Sequence, residues 1–168
     1  MRRDIVTYPD PRLTVTCRPV TDFGPALSTL ADDLHETMKA APGVGITAAH
    51  VGLDLRLVVL DLPELGGRRD FANPEILTLS DRKMEHDEGS VSMPGAIAPV
   101  ERPAAARVKY QDLDGTSHEI DLEGFPAICM QHEIDQLNGI FWLQRLSRLK
   151  RERLVKKWEK SRGRRPGD

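Results

Sequence analysis

The stretch QHEIDQLNG, from Gln131 to Gly139, places a histidine and a glutamate side by side and a glutamine one turn further on. Imidazole and carboxylate are the groups that hold a divalent metal and move protons on its bound water. In the pattern H-E-x-x-H, two histidines one helical turn apart bind zinc, and the glutamate between them acts as general base. His132 and Glu133 fill the first two places, but Gln136 stands where the second histidine belongs. On its own, a His-Glu pair in a helix is more often a structural feature than a site.

For this chemistry the stretch has to be helical. Pro126 suits a first helical turn and Asn138-Gly139 a left-handed stop, which predicts a helix between them. Helical spacing then puts Cys129, His132, Glu133 and Gln136 on one face. Ile128, Gln131, Ile134 and Leu137 fall on another, where Ile134 and Leu137 give apolar anchoring. Leu27, Leu30, Leu34 and Met38 recur at helical spacing and predict an earlier helix over Pro25–Ala41, stopped by Pro42-Gly43. A small-residue loop, GVGITAAHVG, follows over Gly43–Gly52, then a buried strand over Arg56–Asp61. Pro74 and the shorter apolar runs up to Val100 read as strands broken by loops. RVKYQDL and TSHEIDL flank Asp114-Gly115, a hairpin signal in which both turn residues accept positive φ. A last helix is expected from about Ser147 to Lys160, packing through Leu149, Leu154, Val155 and Trp158. Residues 161–168 read as a disordered tail. Terminal helices around short strands make an α+β class, in a single domain over 1–168.

Composition fits a folded, soluble chain, with 39% hydrophobic and 30% charged residues. No apolar run is long enough for a bilayer, and the N-terminus lacks the apolar core of a secretory signal. Only Cys17 and Cys129 are present, so a reducing cytoplasm is expected rather than a disulfide framework. Charge is uneven. Arg145–Asp168 holds 11 Lys/Arg against 3 Asp/Glu, whereas the preceding 144 residues hold 13 against 23. Such a tail is either a solvated helix or a surface for an anionic partner.

Three stretches occur in order: GVGITAAHVG at 43–52, EGSVSMPG at 88–95 and QHEIDQLNG at 131–139. Together they resemble the peptide deformylases, whose motifs read G-x-G-x-A-A-x-Q, E-G-C-x-S and H-E-x-D-H. The opening YPDPRL, Pro19-Val20, the Asp-Gly hairpin and the basic C-terminal helix are placed as in that family. The resemblance runs from about residue 4 to 160. It implies an α+β fold with antiparallel sheets around a central helix carrying His132-Glu133. It also implies hydrolytic removal of the formyl group from N-formyl-methionyl peptides.

In that family the cysteine of the second motif and both histidines of the third bind iron or zinc, and the glutamate moves the proton of the bound water. The glutamine of the first motif and the N–H after the cysteine hold the formyl oxygen. Gly43, Gly45, Glu88, Gly89, Ser92, His132, Glu133 and Asp135 match here. Ser90 stands for the cysteine, Gln136 for the second histidine, His50 for the glutamine, and Val91 follows Ser90. A hydroxyl and an amide carbonyl are poor ligands beside thiolate and imidazole. The expectation is therefore no tightly bound cofactor, at most residual Zn or Fe, and weak or lost deformylation. His50, or His86 two residues before Glu88, could rebuild a metal site with His132. Alternatively, since two donors on one tetrahedral ion lie roughly 3.3–3.7 Å apart, Ser90 Oγ and His132 could settle within hydrogen-bond reach once the metal is gone. Ser90, His132 and Glu133 would then form a remodelled amide hydrolase, with His50, Val91 and Gly45 on the substrate. Otherwise Ser90, His132 and Gln136 bond one another in a non-catalytic peptide-binding cleft. The expected partners are an N-formyl peptide or related small substrate, and the ribosome through the basic helix, with no membrane.

Overall fold

A computed structural model describes residues 1–163. Among them, antiparallel sheets and three α-helices give the α+β class that the sequence predicts. Helix α1 (Pro25–Ala40) leads to β1 (Gly45–Thr47), β2 (Leu57–Leu62), β3 (Gly67–Leu79) and β4 (Lys83–Ser90). Then come β5 (Met93–Pro103), β6 (Ala105–Gln111), β7 (Ser117–Glu123), α2 (Phe125–Leu137) and α3 (Arg148–Gly163). One sheet has the order β1-β2-β3-β6-β7, and β4-β5 forms a separate two-stranded sheet.

The apolar run in β2 serves two cores because strand side chains alternate faces. Val58, Leu60 and Leu62 pack with Met130, Ile134 and Leu137 of α2. Leu57 and Val59 pack with Leu30, Leu34 and Met38 of α1. Helix α2 therefore lies on one face of the five-stranded sheet and α1 on the other. A third cluster joins Met93 and Val100 of β5 to Trp142, Leu146 and Trp158. Every residue of α2 from Pro126 to Leu137 is buried. Its end is fixed by Gly139 at φ 75°, where a Cβ would stand 2.6 Å from the Thr14 carbonyl oxygen. Only glycine satisfies both constraints.

Several expectations need correction. The Asp114-Gly115 hairpin joins β6 and β7 in the register Gln111↔Ser117, but its loop is five residues long, Asp112–Thr116. Only Gly115 takes positive φ, while Asp112 Oδ1 accepts from Asp114 and Thr116 N–H and fixes the turn. Pro74 does not end a strand. β3 runs through it by a register shift at Ala72/Glu75, with Asn73 at φ 51°, consistent with proline at a bulge. On α3, Trp158 is buried and Leu154 and Val155 half-buried, but Leu149 is 57% exposed and is not a packing residue. α3 also continues through Ser161–Gly163, so the start of the expected tail is helical; residues 164–168 lie outside the described residues.

Candidate active site

A cavity of about 390 Å³ opens between the β1 segment, the β4–β5 hairpin and α2. Gly45, His50, Ser90, Val91, His132 and Glu133 all line it, so six of the seven sequence-selected positions meet in one place. Each is positioned by a local feature. After β1, Ala48–Val51 forms a short 3-10 helix, and Thr47 N–H donates to His50 Nδ1 at 2.9 Å. The N-terminal segment straps the walls: Val6 N–H donates to the His50 carbonyl and Tyr8 N–H to the Ser92 carbonyl, both at 2.8 Å. Gly45 makes room for the Glu133 carboxylate of α2. A Cβ there would lie 2.9 Å from Leu60 and 3.3 Å from the Glu133 carboxyl. Val91 lies over Gly43, whose Cβ would meet Val91 Cγ1 at 3.0 Å.

His132 is anchored by a buried ionic chain. Its Nδ1 is 2.8 Å from Glu88 Oε1. Arg102 grips Glu88 with two bonds of 2.6 and 3.0 Å and reaches Asp135 at 2.8 Å. Arg145 closes the chain on Asp135 at 2.7 and 2.8 Å. Burial alone would push the Glu88 carboxyl up, but hydrogen bonds from His132 and Arg102 hold it below its ordinary value. Burial would likewise lower His132; the Glu88 bond and the Glu133 and Glu88 charges raise it instead. His132 Nε2 is left 3.7 Å from Glu133 Oε1. Burial pushes Glu133 up to about 7, against the pull of His132. His50 goes the other way, to about 3, through burial and the neighbouring His132. It is thus neutral, and because Thr47 N–H occupies Nδ1, its proton sits on Nε2.

Three sequence expectations meet a different geometry. Gln136 turns away from the cavity, and its Nε2 donates to the Leu13 carbonyl at 2.7 Å. Ser90 Oγ accepts from Ser92 N–H at 3.1 Å rather than pairing with His132, so Ser90, His132 and Gln136 do not bond one another. His86 stacks on Phe125 at 4.7 Å and bonds the Asp87 carbonyl instead of approaching His132. Among the described residues, no group of three or more His, Cys, Asp or Glu side chains is arranged to hold a metal ion. The sequence reading missed Arg102 and Arg145. Arg102 lies between Glu101 and Pro103 at the end of β5, and only its distant partners reveal that it is buried.

Comparison with known proteins identifies the family. The sequence model of the Polypeptide deformylase family matches residues 2–152. A "Peptide deformylase-like" protein of Bradyrhizobium diazoefficiens is 58% identical over 162 residues, 96% of this chain and 95% of the relative. One of Brucella melitensis is 56% identical over 158 residues, covering 94% and 96%. The peptide deformylase of Nitrobacter hamburgensis is 44% identical over 166 residues, covering 95% of each. Among solved structures, a peptide deformylase from Legionella pneumophila superposes with TM-score 0.91 at 38% identity, covering 99% of this chain and 100% of that one. The enzyme of Ehrlichia chaffeensis in complex with actinonin gives 0.90 at 36%, covering 97% and 99%. With the family model matching most of the chain, relatives above 50% identity and the fold shared along its length, the chain belongs to the polypeptide deformylase family.

Proposed function

We propose that this chain keeps the family's peptide cleft but has lost metal-dependent deformylation, and binds short peptide ends without cleaving them efficiently. The observation that carries this reading is the state of the three ligand positions. Of these three positions only 132 offers a strong transition-metal donor to the cavity. Position 90 offers a neutral hydroxyl already engaged by Ser92 N–H, and the position 136 amide is committed to Leu13. Such a set does not fit iron or zinc, which select thiolate and imidazole. No metal-bound water is therefore invoked, and Glu133 has no activated water to deprotonate.

The features that recognise a peptide remain. Val91, Ile97, Phe125 and Ile128 give the cavity apolar walls. His50 Nε2–H takes the place of a side-chain amide as hydrogen-bond donor for a carbonyl oxygen. The protein acts in the cytoplasm on this reading; among the described residues no helix is long and apolar enough to cross a membrane. Arg153, Lys156, Lys157 and Lys160 crowd one side of α3, a surface suited to ribosomal phosphates. Because Trp158 of the same helix is buried, the ribosome test replaces those four side chains by glutamine and leaves the helix in place. Unchanged low-salt co-sedimentation with ribosomes would remove that contact.

Formate release and peptide binding, measured on one preparation, test the main reading. Binding of a Met-Ala-Ser peptide without formate release from its N-formyl form supports it. Formate release in metal-free buffer at a rate lost in Ser90→Ala would point instead to a hydrolase remodelled on Ser90, His132 and Glu133.

A further inference from the structure

A second pocket, of about 230 Å³, shares no lining residue with the cavity described above. It lies between the N-terminal segment, the stretch before α3 and the start of α3 itself. Its floor is apolar and packed. Leu13, Phe141 and Leu143 are buried there, and the Tyr8 ring stacks on Phe141 at 5.3 Å. An apolar floor with a few polar groups around it is the usual form of a small-molecule site.

The polar groups say which ligand. Arg151 lines this pocket and is half-buried, whereas Arg148, Lys150, Arg153, Lys156, Lys157 and Lys160 of the same helix are exposed. Arg151 therefore gives up hydration that its neighbours keep, and an acceptor is needed in return. Among the described residues the chain supplies none. Glu152 is taken by Arg148 at 2.9 Å and Asp135 by Arg145 at 2.7 Å. Asp10 also lines the pocket, but Arg12 engages both of its oxygens, donating to Oδ1 at 2.9 and 3.1 Å and to Oδ2 at 2.9 Å. One guanidinium is left over. Two further lining groups, the Tyr8 hydroxyl and the Gln144 amide, likewise have no partner among the described residues. A single unmatched cation selects a monoanion, and the planar guanidinium fork matches a carboxylate. The volume suits one ring or branched chain, below the roughly 300–1,000 Å³ of sites for drug-sized ligands.

We propose that this pocket binds a small monocarboxylate with an aromatic or branched apolar body. The body lies on Leu13, Phe141 and Leu143, and the carboxylate accepts from Arg151, with the Gln144 amide and the Tyr8 hydroxyl as further donors. The site is separate from the peptide cleft and does not rest on that reading.

Titration of the isotope-labelled protein with 3-phenylpropionate, followed by NMR, tests the assignment. The acid binds at about 1 mM or tighter, with shifts at Leu13, Leu143 and Arg151. Its neutral isostere 3-phenylpropanamide binds about tenfold more weakly or worse, because the charge-assisted bonds are lost. Arg151→Gln weakens the acid by about tenfold or more, while Lys150→Gln, at an exposed position outside the pocket, changes it by about twofold or less. No binding, shifts confined to the cavity of Gly45 and Glu133, equal affinity for acid and amide, or unchanged binding in Arg151→Gln overturns the proposal. Phenyl phosphate binding tighter than the acid overturns the monocarboxylate in favour of a dianion, and tighter binding of Gly-Gly-Phe overturns the small acid in favour of a peptide C-terminus.

Discussion

Replacing Arg102 by methionine tests the ionic chain behind His132. The guanidinium is 4% exposed and gives two hydrogen bonds to Glu88 and one to Asp135. The substitution keeps most of the side-chain volume, so the loss is electrostatic. Asp135 retains both bonds from Arg145, whereas Glu88 loses its guanidinium and keeps only the His132 bond. Removing one partner of a buried ion pair costs about 3–5 kcal/mol, chiefly through the charge left behind. For a chain of this size each kcal/mol moves Tm by about 2–4 °C, so Tm should fall by roughly 6–20 °C. Urea unfolding gives the free energy directly. The second arm removes the stranded charge: Arg102→Met with Glu88→Gln should recover about 0.5–3 kcal/mol relative to the single variant. A single-variant loss under about 1 kcal/mol, or a double variant no more stable than the single, would refute the claim that this chain is a buried charge network holding the site.

Restoring the family ligands by Ser90→Cys with Gln136→His should raise zinc retention, measured by mass spectrometry, but only in part, since position 136 must first give up its bond to the Leu13 carbonyl. No gain in retained zinc by the folded double variant would show that the pocket has diverged beyond these two side chains. Trp158→Ala should cost about 3–5 kcal/mol in denaturant unfolding, because the indole is buried and donates to the Pro94 carbonyl at 2.7 Å. Leu149→Ser, at a position 57% exposed, should stay within about 0.5 kcal/mol of the parent. Burial pushes both thiols up, with Glu133 and Glu88 adding to the effect at Cys129 and Asp54 at Cys17. Both should therefore react slowly with a disulfide reagent at neutral pH until the protein unfolds; fast reaction of either in the native state would contradict the placement.

Helix α1 was legible in the sequence because it buries one face only, so Leu27, Leu30, Leu34 and Met38 stand out against polar neighbours. Helix α2 is buried all round and carries little such contrast. Its end glycine and the family motif located it instead. The β4–β5 hairpin was read only as broken strands, because KMEHDEGS alternates exposed with half-buried or buried positions and carries charge on both faces. The site residues were legible through motif spacing, which brought Gly45, His50, Ser90, Val91, His132 and Glu133 to one cavity. Two things lay beyond local pattern. Gln136 shares the helix face of His132 by spacing, yet its amide is captured by Leu13, 123 residues earlier in the chain. Arg102 bridges carboxylates 14 and 33 residues away, and pairings at such separations are set by tertiary packing.

The measurement that bears most directly on the account is the metal content of the protein isolated without chelators and then equilibrated with zinc, iron or nickel. The geometry of Ser90, His132 and Gln136 predicts far less than one ion per chain, with no shift of the His132 ring resonances on metal addition. One tightly held ion per chain that shifts those resonances and supports formate release from an N-formyl peptide would contradict it.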